Sequence, residues 1–295
     1  MKSGPIAVLM PGDMGHAVAR ALREHGHDVI TCLKGRGSHT RQLASDAGLR
    51  EVETLDHIVE QSWLILSILP PSSAVDLARR ISQAMALKQA RPVYVDCNAI
   101  SPATAQTVGT VICNAGAEFI DAGIIGLAPG KGSSPRFYVS GPNVEPMLRL
   151  DGKGFKVIDA GRNIGEASAL KMVYAGLTKG TWTLHTAVLL AAQRLGVAEA
   201  LLQELEFSQP AALSAMRARV PYLPADSARW VGEMEEIAST FGDVGVPSGF
   251  HEGAAEIFRF LQKTPLADET RATMDTSRTL EEALDIYVKF LPDSG

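Results

Sequence analysis

The chain has 295 residues, of which 46% are hydrophobic and 21% charged, and its formal net charge is −5 with a pI near 5.8. This composition is typical of a globular protein of one or two domains. A slightly acidic chain without runs of Lys and Arg argues against a nucleic-acid or anionic-membrane binder.

Three features exclude further classes. The apolar run at 6–10 is shorter than a signal-peptide core or a spanning helix requires. Three cysteines without CxxC spacing indicate neither a zinc site nor a disulfide framework. Neither a pair of metal-binding histidines nor an HExxH motif occurs. We therefore expect a cytoplasmic protein without a metal, a nucleic-acid partner or a membrane span.

Residues 1–162 repeat one unit, in which a short apolar run is followed by a glycine or polar turn and a helical pattern. The runs predicted as strands are 6–10, 28–33, 63–69, 92–97, 118–120 and 137–141. Amphipathic stretches such as 15–25 and 74–86 lie between them. Continuous apolar strands that alternate with helices predict an α/β fold, with a Rossmann-like parallel sheet covered on both faces.

After this half of the chain, only helical patterns follow. A long linking helix is predicted over about 166–195, and further helices over 198–206, 210–219, 228–241, 253–263 and 280–290. In the predicted helix 228–241, Trp230, Met234 and Ile237 fall on one stripe. The sequence therefore predicts a second, all-helical domain over 163–295, with a frayed tail at 292–295.

The turn after the first strand has the residue types that bind a dinucleotide. Gly12 can let the backbone approach a pyrophosphate, and Gly15 can let the following helix pack close to the strand. The full fingerprint is GxGxxG, and its first glycine position holds Met10. The strand–helix–strand context strengthens this incomplete signal. We predict cofactor contacts at Gly12, Asp13, Met14 and Gly15, the alternative being a turn that serves only the sheet.

The end of the second strand indicates which nucleotide binds. A carboxylate there would bind the ribose 2′-hydroxyl of NAD, whereas cations accommodate the 2′-phosphate of NADP. The segment 32–41 reads CLKGRGSHTR and has three cations and no acid. An Arg side chain can bind a phosphate through two parallel hydrogen bonds. Lys34, Arg36 and Ser38 are therefore predicted to bind NADP(H) in preference to NAD, the alternative being a solvated basic loop.

The order of segments resembles the β-hydroxyacid dehydrogenase family, relatives of 6-phosphogluconate dehydrogenase, over nearly the whole chain. The family's opening GLGxMGxxMAxxLxxxGHxV is similar to MPGDMGHAVARALREHGHDV at 10–29. Its mLP turn is similar to ILPP at 68–71, its DxSTxxP to DCNAISP at 96–102, and its DAPVSGG to DAGIIGL at 121–127. The segment 229–257 is similar to a branch whose C-terminal helical domain is poorly characterised.

The resemblance implies an NAD(P)-dependent dehydrogenase or reductase in which Lys171 is the general acid/base. It also implies a homodimer formed through the helical domain, and cofactor contacts at Leu69, Pro70 and Asn98. Lys171 lies in an apolar, alanine-rich helical stretch, where desolvation would favour a neutral amine. The alternative is a lysine whose stem covers the helix while its ammonium reaches water. The residues predicted to contact the substrate are Asn98, Ile124, Ile125, Gly126, Tyr174 and Glu233.

Three departures from the family pattern concern the substrate end of the site. Ile125 and Leu127 replace the Ser and second Gly of SGG, Asn98 and Ala99 replace the Ser-Thr pair, and Ala175 replaces the Asn after the lysine. An apolar side chain cannot hydrogen-bond a carboxylate, so we expect a bulkier or less charged substrate than a small hydroxyacid. The alternatives are an imine reductase, a phosphosugar dehydrogenase and a non-catalytic NADPH-binding protein.

Overall fold

A computed structural model describes residues 4–132 and 134–292. Its chain forms two compact units, Met1–Met172 and Val173–Gly295, so the division falls inside a long helix. The domain limits predicted from the sequence, 1–162 and 163–295, stay a prediction. The predicted frayed tail lies outside the described residues except for Pro292.

The first unit contains one eight-stranded sheet with helices between its strands. The strands are β1 Ile6–Leu9, β2 Val29–Thr31, β3 Arg50–Glu51, β4 Leu64–Ser67, β5 Val93–Asp96, β6 Phe119–Ile125, β7 Arg136–Ser140 and β8 Lys156–Gly161. The helices are α1 Asp13–Glu24, α2 Ser38–Asp46, α3 Leu55–Gln61, α4 Ala74–Lys88, α5 Pro102–Asn114 and α6 Glu145–Leu148, followed by the 29-residue helix α7 Glu166–Arg194. The sheet order is β3-β2-β1-β4-β5-β6-β7-β8.

The predicted α/β fold with a Rossmann-like sheet is confirmed, except that one pair of neighbouring strands is antiparallel and not parallel. All neighbouring strands are parallel except β6 and β7, which pair antiparallel from Asp121↔Ser140 to Ile125↔Arg136. The reason is the short loop 126–135 between them, because a parallel pair requires a longer crossover connection. Strand β6 also continues to Ile125, beyond the predicted end at residue 120.

Two strands had no signal in the sequence. Strand β3 is only two residues long, and both are exposed. Strand β8 is an edge strand of the sheet and includes the charged residues Lys156 and Asp159. Short or edge strands do not need the continuous apolar run by which the central strands were recognised.

Apolar residues cover both faces of the sheet. Along β1, Ile6 and Val8 belong to one buried cluster, whereas Ala7 and Leu9 belong to the other. Strands β4 and β5 alternate between the same two clusters. Successive side chains of a strand point to opposite faces, so a strand buried on both sides must be apolar throughout. This explains why the central strands could be predicted from the sequence.

The second unit is helical. After the C-terminal part of α7, it contains α8 Ala198–Ser208, α9 Pro210–Arg219, α10 Pro224–Asp243, α11 Gly249–Leu261 and α12 Leu280–Tyr287. The predicted stripe of Trp230, Met234 and Ile237 is buried on α10. The rings of Trp230 and Phe258 pack with centroids 5.3 Å apart, which joins α10 to α11. In the described part of the chain, no helix has both the length and the apolar character of a membrane span.

Candidate active site

The turn after β1 is tight and begins with a left-handed residue, although the first position of the glycine fingerprint holds methionine. Met10 has a φ of 58°, a left-handed conformation that is uncommon for a residue with a side chain. The N–H of Gly12 donates to the Met10 carbonyl at 2.7 Å. A Cβ atom at Gly15 would lie 2.9 Å from the same carbonyl oxygen, whereas one at Gly12 would meet no atom within 4 Å. Gly15 therefore permits close packing, and Gly12 leaves open space beside the turn.

The N-terminus of α1 is suited to an anion. Asp13 and Met14 are its first two residues, and Gly12 at the N-cap gives no side-chain hydrogen bond to the first turn. The first amide groups of a helix have no partner inside the helix and favour negative charge. A pyrophosphate placed beside Gly12 would meet these amides.

A cavity of about 400 Å³ lies at the carboxyl ends of β1 and β2 and includes Met10 in its wall. Three cations, Lys34, Arg36 and Arg80, and one carboxylate, Asp56, also line it. In a chain with a net charge of −5, this is a local excess of positive charge. The volume is within the range of small-molecule sites, and the charge favours an anionic ligand.

The three cations of the segment 32–41 have different surroundings. Lys34 and Arg36 line the cavity. Arg41 instead donates from Nη2 to the Leu33 carbonyl at 2.7 Å and from Nε to the Arg36 carbonyl at 3.3 Å, and it pairs with Glu51 at 3.3 Å. Arg41 therefore holds the backbone of this loop.

Ser38 and Pro70, both predicted to contact the cofactor, lie at the beginnings of short helical segments. Ser38 is exposed and is the first residue of α2. Pro70 is exposed and precedes a single 3₁₀ turn, Pro71–Ser73, that leads into α4. Both residues follow the carboxyl end of a strand of the parallel sheet, β2 and β4 respectively.

Asn98 joins the ends of β4 and β5. Its Oδ1 accepts from the N–H of Leu69 at 2.7 Å, and its Nδ2 donates to Ser67 Oγ at 3.1 Å and to Asp96 Oδ2 at 2.9 Å. Burial raises the pKa of Asp96 to about 7, hydrogen bonds from Asn98 oppose this rise, and nearby Asp121 adds to it. The described contacts use both amide hydrogens of Asn98, so the residue positions the turn at Leu69 and keeps one lone pair of Oδ1 for a ligand.

The Cβ atom of Lys171 lies against strand β6. A Cβ atom at Gly123 would lie 2.8 Å from the Ala167 carbonyl oxygen and 2.8 Å from Lys171 Cβ. Helix α7 thus packs directly on the carboxyl-terminal half of β6, and only glycine allows this approach. Because β6 is parallel to β5, and β5 to β4 and β1, Lys171 lies toward the same edge of the sheet as the glycine turn. Its side chain is half-buried.

Asp121 anchors the N-terminus of α7 on β6. Its Oδ2 accepts from the N–H groups of Gly165 and Ser168 at 3.0 and 2.9 Å and from Ser140 Oγ at 3.1 Å, while its Oδ1 accepts from Ser168 Oγ at 2.6 Å. Burial raises the pKa of this carboxyl, whereas the hydrogen bonds from Ser168, Ser140 and Gly165 lower it. A carboxylate at a helix N-terminus is stabilised by the unpaired amides and the helix dipole. Asp121 therefore fixes the position from which Lys171 extends.

The predicted substrate residues of β6 are mostly buried in the strand. Ile124 is part of the core cluster, and Ile125 is also buried. Gly126 has a φ of 121°, and a Cβ there would lie 3.2 Å from Pro135 Cα, so it forms the tight turn after the strand. Leu127, which follows, is 48% exposed. The solvent-facing side chain at this end of β6 is therefore apolar.

Two predicted substrate residues belong to the helical unit. Tyr174 is 45% exposed on α7. Glu233 on α10 is buried. Its Oε2 lies 2.7 Å from Lys179 Nζ, which is also buried, and Lys179 Nζ lies 5.8 Å from the centre of the Trp230 ring. This partner lies on a different helix, so no local pattern in the sequence indicated it.

His251 packs inside the helical unit. A Cβ at Gly176 would lie 3.3 Å from His251 Cε1, and the His251 and Phe241 rings are 4.3 Å apart. Burial lowers the pKa of His251. Its contacts join α11 to α7 and α10. Among the described residues, no group of three or more His, Cys, Asp and Glu side chains is arranged as metal ligands.

A mostly parallel sheet whose first strand leads through a glycine turn into a helix is the architecture of dinucleotide-binding domains. Residues 5–145 match the family described as the NAD binding domain of 6-phosphogluconate dehydrogenase, and residues 192–261 match a domain of unknown function, DUF1932. The chain belongs to the NAD(P)-dependent dehydrogenases and reductases of the β-hydroxyacid dehydrogenase type, in a branch with this C-terminal domain, as the resemblance indicated.

Two similar proteins are themselves without an established function. An uncharacterised 28.5 kDa protein of Methanothermus fervidus is 31% identical over 179 residues, which cover 61% of this chain and 67% of that protein. A conserved protein of unknown function, described as structurally similar to 3-hydroxyacid dehydrogenases, is 30% identical with a TM-score of 0.65, over 88% of this chain and 96% of that one.

More distant solved structures share the fold. A 3-hydroxyisobutyrate dehydrogenase of Mycobacterium tuberculosis, solved with L-serine, is 18% identical with a TM-score of 0.67, over 96% of this chain and 99% of that one. Imine reductases of Myxococcus stipitatus and Streptomyces aurantiacus are 17% and 18% identical with TM-scores of 0.55 and 0.53. They cover 96% and 95% of this chain, and 100% and 98% of their own chains are matched.

The contact between Asp121 and α7 yields a prediction on stability. Asp121→Asn replaces a buried acceptor oxygen by an amide that faces N–H donors, so we expect the free energy of unfolding to fall by about 2–3 kcal/mol. Urea unfolding followed by circular dichroism measures this change. The control is Asp285→Asn at an exposed position on α12, where the change should stay below about 0.5 kcal/mol. Equal urea midpoints for the two variants would contradict the anchoring role.

Proposed function

We propose that this protein is an NADP(H)-dependent oxidoreductase that interconverts an alcohol and a carbonyl compound, with Lys171 as the general acid/base. One observation carries the proposal. The parallel strands from β1 to β6 share one carboxyl edge, which has the cation-lined cavity beside β1 and β2, and Lys171 packs on β6 toward the same edge. Ligands of open α/β sheets bind in the crevice outside this edge.

The described residues fit a dinucleotide. The space left by Gly12 and the amides of α1 would hold the pyrophosphate, and Lys34, Arg36 and Ser38 would bind the 2′-phosphate. The turn at Leu69, positioned by Asn98, would border the nicotinamide ribose. When bound, the nicotinamide supplies the acceptor or donor of the hydride, a chemistry that side chains do not provide.

Lys171 performs the proton transfer in this proposal. In the direction of oxidation, its neutral amine accepts the proton of the substrate hydroxyl. In the direction of reduction, its ammonium donates a proton to the carbonyl oxygen and stabilises the negative charge that develops there. Asp121 and Gly123 support this role, because they fix α7 on β6 and so limit the positions that the amine can reach.

The substrate is one with an apolar group near the reacting carbon. Ile125 and Leu127 stand at the end of β6, and neither side chain can hydrogen-bond a carboxylate. Leu127 is exposed and Ile125 is not, so Leu127 is the side chain that meets a ligand first. We therefore expect ketones, aldehydes and their alcohols with apolar substituents to react better than small hydroxyacids.

We also propose a homodimer formed through α7. Leu170, Val173, Leu177, Leu184, Val188 and Leu195 are exposed large hydrophobic residues on or directly after this helix. At 100° per residue, all six fall within a sector of about 60°. The stripe extends for about 37 Å at 1.5 Å per residue. A long exposed apolar stripe is typical of an interaction surface, and a second copy of α7 presents the same complementary stripe.

The first prediction concerns the nucleotide. Lys34→Ala together with Arg36→Ala removes two charge-assisted contacts, so we expect the Kd of NADPH to rise by about 100-fold or more, while the Kd of NADH changes little. Fluorescence titration of both nucleotides measures the two values. Equal losses for NADPH and NADH would show that this loop does not bind the 2′-phosphate.

The second prediction concerns Lys171. Lys171→Met should leave the Kd of NADPH near that of the unmodified protein and lower turnover by about 10²–10⁴. The assay is a panel of ketones, aldehydes, alcohols, hydroxyacids and cyclic imines, followed by NADPH absorbance. Lys156→Met, at an exposed position of β8, is the control and should keep full activity.

The outcomes of this assay separate the alternatives. Unchanged turnover in Lys171→Met removes the lysine from the mechanism. Reduction confined to the imines would favour an imine reductase, and NADPH binding without turnover of any compound would favour a non-catalytic binding protein.

The third prediction concerns assembly. Leu177 is 70% exposed on the α7 stripe, and Leu177→Arg should raise the dimer dissociation constant by at least about tenfold, because a charge would be buried in an apolar contact. Sedimentation equilibrium measures this constant. Leu87, equally exposed on α4, gives the control Leu87→Arg, which should not change it. A monomeric unmodified protein would contradict the proposal.

A further inference from the structure

Arg80 brings a third cation to the cavity from an element outside the loop that follows β2. It lies on the 15-residue helix α4 and lines the same cavity as Lys34 and Arg36. Its ion pair with Asp76 is long, at 3.9 Å, and both side chains are more than half exposed. Such a surface pair contributes about 0–1 kcal/mol, so a stronger anion can replace Asp76 at little cost.

The cavity has the composition of a site for a phosphorylated nucleoside. Its cations outnumber its one carboxylate by three to one, which favours a phosphate. Leu9, Leu55 and Leu77 form an apolar part of the wall, against which a base can pack. Asp56 can accept a hydrogen bond from an amino or hydroxyl group of the same ligand.

The two other arginines near this cavity differ from Arg80 in what holds them. Arg41 is already bonded to two carbonyl oxygens and Glu51, and so acts as a positioning residue for the loop. Arg36 stands between two glycines, and Gly35 has a φ of 77°. Arg80 is on a regular helix. A charged group on a rigid element loses less conformational freedom on binding than one on a loop.

We propose that Arg80 is a specificity-determining residue that binds the 2′-phosphate of NADP(H) together with Lys34 and Arg36. This inference rests on the proposed function, because it assigns the cavity to the adenosine end of that cofactor. It adds a residue of α4 to a contact otherwise formed by the loop after β2.

The test compares Arg80→Gln with its neighbour Arg79→Gln. Arg79 is also exposed on α4 but does not line the cavity, so it is a matched control for the loss of one surface charge. The probes are NADPH, NADH, adenosine 2′,5′-bisphosphate and 5′-AMP, with each Kd measured by fluorescence titration or calorimetry. Arg36→Gln is measured in parallel.

Arg80→Gln should weaken NADPH and adenosine 2′,5′-bisphosphate by about 10-fold to 100-fold. NADH and 5′-AMP should change by less than about twofold, as expected where no charge-assisted hydrogen bond is lost. Arg79→Gln should change none of the four values.

Three results would overturn the inference. If Arg36→Gln weakens NADPH and Arg80→Gln does not, Arg80 has no part in the contact, and the proposed cofactor still holds. If Arg80→Gln weakens NADPH and NADH equally, its contact is not with the 2′-phosphate. If the unmodified protein binds neither nucleotide, or prefers NADH, the inference and the proposed cofactor both fail.

Discussion

The close contact between α7 and β6 determines where the candidate catalytic lysine stands. Two features make this contact possible. Gly123 has no Cβ to separate helix from strand, and Asp121 gives the helix N-terminus a buried carboxylate. A helix fixed at its first turn and pressed on a strand one turn later has little freedom to rotate, so the direction in which Lys171 leaves the helix is determined. This is the kind of buried support on which a precisely placed catalytic group depends.

The cavity at the carboxyl ends of β1 and β2 shows a similar division between residues that support the backbone and residues that face the cavity. Asn98 accepts from the backbone N–H of Leu69 in the turn after β4, and Arg41 donates to two backbone carbonyls of the loop after β2. Lys34, Arg36 and Arg80 line the cavity itself. Met10, at the first position of the glycine fingerprint, has a left-handed backbone, a conformation that is more usual for glycine.

The fold and the glycine turn after β1 could be predicted because both depend on local sequence. Doubly buried strands must be apolar throughout, and the turn needs Gly15 for packing. The antiparallel pairing of β6 and β7, and the pairing of Glu233 with Lys179, depend on contacts between distant segments. The same limit applies to the cations, because the sequence of the loop 32–41 shows Arg41 near Lys34 and Arg36, and no local pattern indicates Arg80. Sequence proximity identified the loop, and only the folded chain distinguishes which of its cations bond to the backbone.

Helix α7 has two lysines, eight residues apart, whose surroundings differ. Lys179 is buried and pairs with the buried Glu233 at 2.7 Å. Breaking such a pair leaves an uncompensated buried charge at a cost of about 3–5 kcal/mol, so a proton transfer that neutralised Lys179 would destabilise the helical unit. Lys171 is half-buried, and its Cβ atom packs against Gly123 of β6. It lies toward the sheet edge at which ligands bind in this fold. The ion pair thus ties Lys179 to the structure of the helical unit, whereas Lys171 is the amine that stands beside the carboxyl edge of the sheet.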